Sequence, residues 1–282
     1  MYKKREGFRV ERLPDVNIVH FDEIPEDLRL YEVAWYMLPT TEEAKGVLRR
    51  YNLDTDKPAM FIATHEGLEK KKQEYEKKLR EFQQEYRLKL KEDRGFQPPE
   101  IVSGEKGLKE RVNFFEDLIR KYDDPLTIRS IKRHEHGHIE LYHKFKKFGE
   151  HVHHLSDLNE EGAFIIEVLG LVEDVNAGLT STEKAREFVK YRVNDWSKPK
   201  KGFEHYKQAI SKILENKPLY EHLRTFDTEK LASYLEKELE KVLFLAQERS
   251  KIIERVMSGE EDAMPYGWNE TDKEILSRWK KK

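Results

Sequence analysis

The chain reads as α+β, predominantly α-helical. Three observations predict this. Several long stretches repeat apolar residues at the three- and four-residue spacing of an amphipathic helix. Two short segments, 17–21 and 58–63, are apolar and strand-like. Glycine and proline clusters such as 95–100 separate the helical stretches.

In order, residues 1–65 are mixed. Asn17–Phe21 and Pro58–Ala63 are the candidates for a small sheet, and 28–37 suits a helix or a strand. Residues 66–94 form a charged helix whose apolar positions Leu68, Tyr75, Leu79, Phe82, Tyr86 and Leu90 make one narrow stripe. That stripe suits packing on the body of the protein or one half of a helical hairpin. The functional alternatives are a homodimer seam through 66–94 or a lid over a cleft. A helix at 105–122 shows Leu108, Val112, Phe115, Leu118 and Ile119 on one face. Asp123 or Asp124 caps the next helix, Pro125 suits its first turn, and Gly149 marks its end. An apolar helix follows at 159–178. Ser181 to Glu183 then start another that runs to about Trp196. Beyond the linker 197–202, helices are expected at 203–216 and 228–257. An aromatic stretch at 264–268 and a basic end follow. The organisation reads as an N-terminal mixed region (1–104), a core (105–198) and a C-terminal helical region (199–282), which also fit one compact unit.

The 282 residues suffice for a sizeable core. Lys plus Arg number 53 against 55 Asp plus Glu, a net charge of −2, which argues against general nucleic-acid binding. Abundant, balanced Lys and Glu without cysteine is the composition of a hyperthermophile protein. Without cysteine there is no disulfide, thiol catalysis or thiolate-bound zinc. The first residues lack the apolar core of a secretion signal, and no segment approaches the roughly 20 apolar residues that span a bilayer. The expectation is a cytoplasmic protein without a membrane partner.

The most specific feature is His134-Glu135-x-x-His138. On a helix, positions i and i+4 share a face, so both imidazoles aim at one ion. Zinc bound this way acidifies water, and Glu135 stands beside it to take the proton. The two histidines continue the apolar stripe set by Ile128, Ile131, Leu141, Tyr142 and Phe145. The bland alternative is a histidine-rich helix with satisfied core or surface rings.

A catalytic zinc site needs a third protein ligand, and the helix 159–178 supplies carboxylates. Glu173 ranks first, because it shares an apolar face with Ile166, Leu169 and Gly170, where an ionised group needs a compensating charge. Glu167 ranks second, since its stripe continues to Asp174 and Gly178 and suits solvent. Glu160 and Glu161 sit where the helix is expected to start, as capping or dipole residues.

His134-Glu135-x-x-His138 resembles the zinc signature of the zincin metallopeptidases. The subclass with HExxHxxGxxH is excluded, because Leu141 and Lys144 stand at its glycine and third-histidine positions. The gluzincins, which take a glutamate from a following helix, are the closer resemblance. It implies a zincin-like core with a small sheet beside the motif helix. It implies zinc on His134, His138 and Glu173, with Glu167 the alternative. It further implies Glu135 as general base and a peptide or protein substrate. Residues 171–176 resemble the gluzincin glutamate helix, which implies Asp174 or Asn176 as the partner orienting a ligand histidine. The separation from His138 to Glu173 is longer than the common one. Tyr142, His151, His153, His154 and Tyr191 are candidate oxyanion donors. Residues 151–154 also suit an exposed polar loop or a second metal. The non-enzymatic alternative is a zinc-binding regulator or interaction protein, its site closed by a fourth ligand.

Overall fold

In the computed structural model the described residues are 4–5, 8–25, 32–92, 99–196, 211–212, 215–260, 264–265 and 268–279. The described part is predominantly helical with a small sheet. The chain divides into two compact units, 1–37 with 59–128 and 38–58 with 129–282. This differs from the three expected regions. The boundary expected at 104/105 falls inside a continuous helix, and the boundary at 198/199 falls inside the second unit. The sheet belongs to the first unit and His134, Glu135 and His138 to the second.

In the first unit, strands β1 (Lys4–Arg5), β2 (Phe8–Arg12) and β3 (Asn17–Phe21) form an antiparallel meander. β4 (Ala34–Met37) comes next in the chain. In the second unit, α1 (Glu42–Arg50) is capped by Thr41, whose hydroxyl accepts from the Ala44 N–H. β5 (Ala59–Ala63) returns to the sheet between β3 and β4, giving the order β1-β2-β3-β5-β4. β5 runs parallel to β3 in the register Asn17↔Ala59 and antiparallel to β4. All five residues of β5 are buried, as a central strand covered on both faces requires. The Phe21, Trp35 and Phe61 rings stack across β3, β5 and β4 at centroid separations of 5.4–6.0 Å. The strands at 17–21 and 59–63 match the expectation. β1, β2 and α1 are additions to it, and residues 28–31 of the ambiguous stretch lie outside the described residues.

Helices α2 (His65–Glu92) and α3 (Pro99–Asp123) form an antiparallel hairpin. Tyr75 stacks on Phe115 at 5.6 Å, Gln83 bonds Glu105, and Phe82 covers Gly104. The stripe of α2 is thus occupied by the chain's own α3. The side chains of Tyr86 and Leu90 lie outside those described.

α4 (Pro125–Lys146) starts as expected, since Asp124 accepts from the N–H groups of Leu126 and Thr127 and Pro125 opens the helix. A 3₁₀ turn, Val152–Leu155, leads without a break into α5 (Ser156–Asn176). α6 (Thr182–Trp196), α7 (Lys217–Thr225), α8 (Thr228–Met257) and α9 (Asn269–Trp279) complete the second unit. α9 is a further addition, and most of the helix expected at 203–216 lies outside the described residues. α5 packs on α8 and carries almost only buried residues. Among the described residues, no helix is long and apolar enough to cross a membrane.

Candidate metal centre

α4 and α5 run antiparallel and meet along a ladder of opposite charges. α5 places Glu160, Glu167 and Asp174 at seven-residue intervals, close to two helical turns, so they form one stripe. α4 answers in reverse order with His138, then His134 and Ser130, then Arg133 and Arg129. Two glycines allow this approach. A Cβ on Gly137 would stand 3.2 Å from the Ala163 Cα, and one on Gly170 would stand 2.4 Å from the Arg133 Cδ. At the far rung Arg133 donates to Asp174 Oδ1 at 2.8 Å and to the Gly170 carbonyl at 2.7 Å, and Arg129 donates to Asp174 Oδ2 at 3.1 Å.

At the near rung, His134, His138 and Glu160 bring one ligand atom each to a common point. The two Nε2 atoms are 3.0 Å apart. Glu160 Oε2 lies 3.3 Å from His138 Nε2 and 3.8 Å from His134 Nε2. All three residues are at most 5% exposed, and Glu135 is 6% exposed.

The outer contacts fix which ring atoms carry protons. Asn159 Nδ2 donates to the His138 carbonyl at 3.2 Å, so its Oδ1 faces His138 Nδ1 in a short contact and accepts the proton there. His138 Nε2 is then a bare lone pair. Glu167 Oε1 accepts from Ser130 Oγ at 2.8 Å and from Arg192 Nε at 3.1 Å, while its Oε2 stands 3.1 Å from His134 Nδ1. An ionised Glu167 at this distance favours the tautomer of His134 that carries its proton on Nδ1, which turns the Nε2 lone pair inward as well. Two lone pairs and a carboxylate oxygen converge in a buried space, an arrangement that repels itself unless a cation stands between them.

The electrostatics agree. Burial alone would lower His134, but hydrogen bonding to Glu160 and then Glu167 outweighs it and pushes the ring up to about 9. Burial would raise Glu160, but the His138 charge and bonding to His134 and His138 hold it at about 2. Glu167 is likewise held at about 2 against burial, by Arg192 first and then by His134. Burial keeps His138 below its ordinary value. The cluster therefore favours a positive charge at its centre, which a proton supplies in the absence of a metal.

The separations fit a divalent ion. Four-coordinate zinc with Zn–N bonds of about 2.0–2.1 Å places neighbouring ligand atoms roughly 3.3–3.4 Å apart. The three observed separations of 3.0, 3.3 and 3.8 Å bracket that value. Among the described residues this is the one His/Cys/Asp/Glu group of three or more whose ligand atoms all lie within 4.8 Å of one another.

The site differs from expectation at its third ligand. Glu173 is exposed and lies off the stripe that faces α4; its charge reaches Arg133, not the histidines. Ile166 and Gly170 of the face it shares do meet α4, at Gly137 and Arg133, but Glu173 lies beyond them and stays exposed. Glu167 is buried in the site but addresses the outer nitrogen of His134, so it orients a ligand. Asp174 is buried yet pairs with Arg129 and Arg133 rather than with a histidine, and Asn176 is exposed. Asn159 orients His138 instead. Glu160 reads as a helix-start residue only if α5 begins at Asn159. The helix begins at Ser156, which puts Glu160 a full turn inside, against α4. The signal that would have found it is the seven-residue recurrence of acid, Glu160-Glu167-Asp174, in an otherwise apolar helix.

Of the expected oxyanion donors, Tyr142 is buried on α4 and Tyr191 is half exposed on α6. His151, His153 and His154 group at the 3₁₀ turn. Burial, with the His153 and His151 charges, lowers His154. The chain matches no family model, no curated protein and no solved structure.

Proposed function

We propose that the protein is a zinc-dependent metallopeptidase of gluzincin type, with zinc on His134, His138 and Glu160 and a zincin-like pairing of motif helix and glutamate helix. The observation that carries this reading is the convergence of two Nε2 atoms and one carboxylate oxygen in a buried cluster beside Glu135.

Zinc held there acidifies water and polarises the scissile carbonyl as a Lewis acid. The remaining work falls to the chain's own residues. Glu135 takes a proton from the attacking water and delivers it to the leaving amine nitrogen, so the peptide C–N bond breaks with a neutral amine as product. Asn159 and Glu167 hold His138 and His134 as Nδ1–H tautomers, which keeps both Nε2 atoms available. Arg192 and Ser130 fix Glu167 in turn. Burial of the cluster excludes bulk water and strengthens each of these interactions.

One observation favours a second reading. Every group at the centre is 6% exposed or less, which suits a non-enzymatic zinc-binding regulator or a peptidase that opens on engaging its protein substrate. Glu135→Gln tests the first reading. The variant should keep one zinc per chain and lose hydrolysis of an unfolded protein substrate by about 10²–10⁴-fold. Undiminished hydrolysis would refute the assignment of Glu135. Stoichiometric zinc in a wild type that cleaves nothing would favour the regulator.

A further inference from the structure

We propose a second, solvent-facing transition-metal site built from His151, His153 and His154. The three residues stand at the 3₁₀ turn that opens into α5, His151 as its N-cap and His153 and His154 within Val152–Leu155. In a 3₁₀ helix residues three apart eclipse one another, so His151 and His154 share a face and His153 stands beside it. Val152 and Leu155 are buried and anchor the turn, which leaves the imidazoles on its outer side. The His153 and His154 ring centroids are 4.0 Å apart, and His151 lies 6.1 and 6.4 Å from them.

The three rings contact one another, and none of their ring nitrogens makes a hydrogen bond or ion pair with another described residue. Exposed imidazoles ordinarily spread into solvent or bond to a neighbour. Here three are held together with their nitrogens available, on a backbone fixed by buried side chains. Their ligand atoms do not converge as those of the buried trio do. Closing them on an ion needs rotation of the exposed His153 and of the half-buried His151 and His154 side chains.

The donor chemistry defines the ligand. Imidazole suits zinc, nickel, copper and iron and serves magnesium or calcium poorly. With no carboxylate in the set, the site takes a borderline divalent transition ion. It stands apart from the buried centre and does not depend on it.

Nickel(II) binding by equilibrium dialysis, in an excess of magnesium, separates the two sites. Wild type should bind two equivalents. His138→Ala should bind one, and His153→Gln/His154→Gln should also bind one. Combining all three substitutions should abolish binding. Because His153 and His154 lie on the outer side of the turn, their replacement should leave circular dichroism unchanged. If His153→Gln/His154→Gln binds as much nickel as wild type, the surface site does not exist. If His138→Ala binds none, the proposal likewise fails. One equivalent in His138→Ala together with one in wild type would instead uphold the surface site and remove the buried one.

Discussion

At the residue scale, the centre depends on groups that never touch the ion. Glu167 accepts from Ser130 and Arg192 and stands 3.1 Å from the outer nitrogen of His134, so its charge bears on both the tautomer and the basicity of that ring. Glu167→Gln should weaken zinc binding by about 10–100-fold, as loss of an orienting partner commonly does. Competition with a chromophoric chelator measures this; an unchanged affinity would mean that Glu167 serves only Arg192. The sequence displays His134, Glu135 and His138 because their spacing puts them on neighbouring positions of a single helix. It hides Glu160 because that residue's role depends on where α5 begins, a matter of three residues. It hides Glu167 because burial against α4, rather than exposure, is a tertiary fact. Asn159 is hidden for the same reason. An amide beside a glutamate carries no signal until its helix is turned towards His138.

At the scale of elements, the site is a product of how closely α4 and α5 approach. Gly137 sits between the two histidines and faces the Ala163 backbone and the stiff, branched base of Ile166, so there is little to move aside. Gly137→Val should destabilise the fold by about 1–3 kcal/mol, the usual cost of overpacking, and should weaken zinc binding at the same time. Thermal unfolding and zinc titration of the variant check both, and a variant with normal stability and affinity would show that the helices have room to spare. The elements themselves are largely legible. α2, α3, α4, α6 and α8 follow from apolar stripes and punctuation, and β3 and β5 from short apolar runs. β1 and β2 are not, because a meander is stabilised by pairing between strands and not by either strand alone. The α2 stripe shows the opposite ambiguity. A seam pattern states that a helix has a partner and not which one, and here α3 fills it through Tyr75–Phe115 and Gln83–Glu105.

At the scale of the whole molecule, the second unit is tied together by a buried charge cluster. Arg249 on α8 is 0% exposed. It donates to Asp157 at 2.9–3.2 Å and to Asp272 at 2.5 and 2.8 Å, and it lies 4.6 Å from the Trp268 ring. Asp157 opens α5 one turn before Glu160, so α8 and α9 steady the helix that bears the third ligand. This is why residues 105–198 do not form a self-contained core. Arg249→Leu leaves two buried carboxylates with Lys212 in place of their main partner and should cost about 3–5 kcal/mol. Burial would raise Asp157, but Arg249 and then Lys212 hold it below its ordinary value. A carboxylate whose folded pKa is depressed stabilises the fold fully above its unfolded pKa of about 3.9 and progressively less as acid carries the pH down through the folded value. The difference in Tm between wild type and Asp157→Asn should therefore shrink between neutral pH and about pH 3. A difference independent of pH would assign the effect to packing instead.

The most direct test is the zinc content of the intact chain. Wild type, Glu160→Ala and Glu173→Ala would be purified without added metal, dialysed against a weak chelator and assayed by elemental analysis. The structure predicts one zinc per chain in wild type and in Glu173→Ala, and its loss from Glu160→Ala. Zinc retained in Glu160→Ala but lost from Glu173→Ala, or absent from wild type, would contradict a centre built on His134, His138 and Glu160.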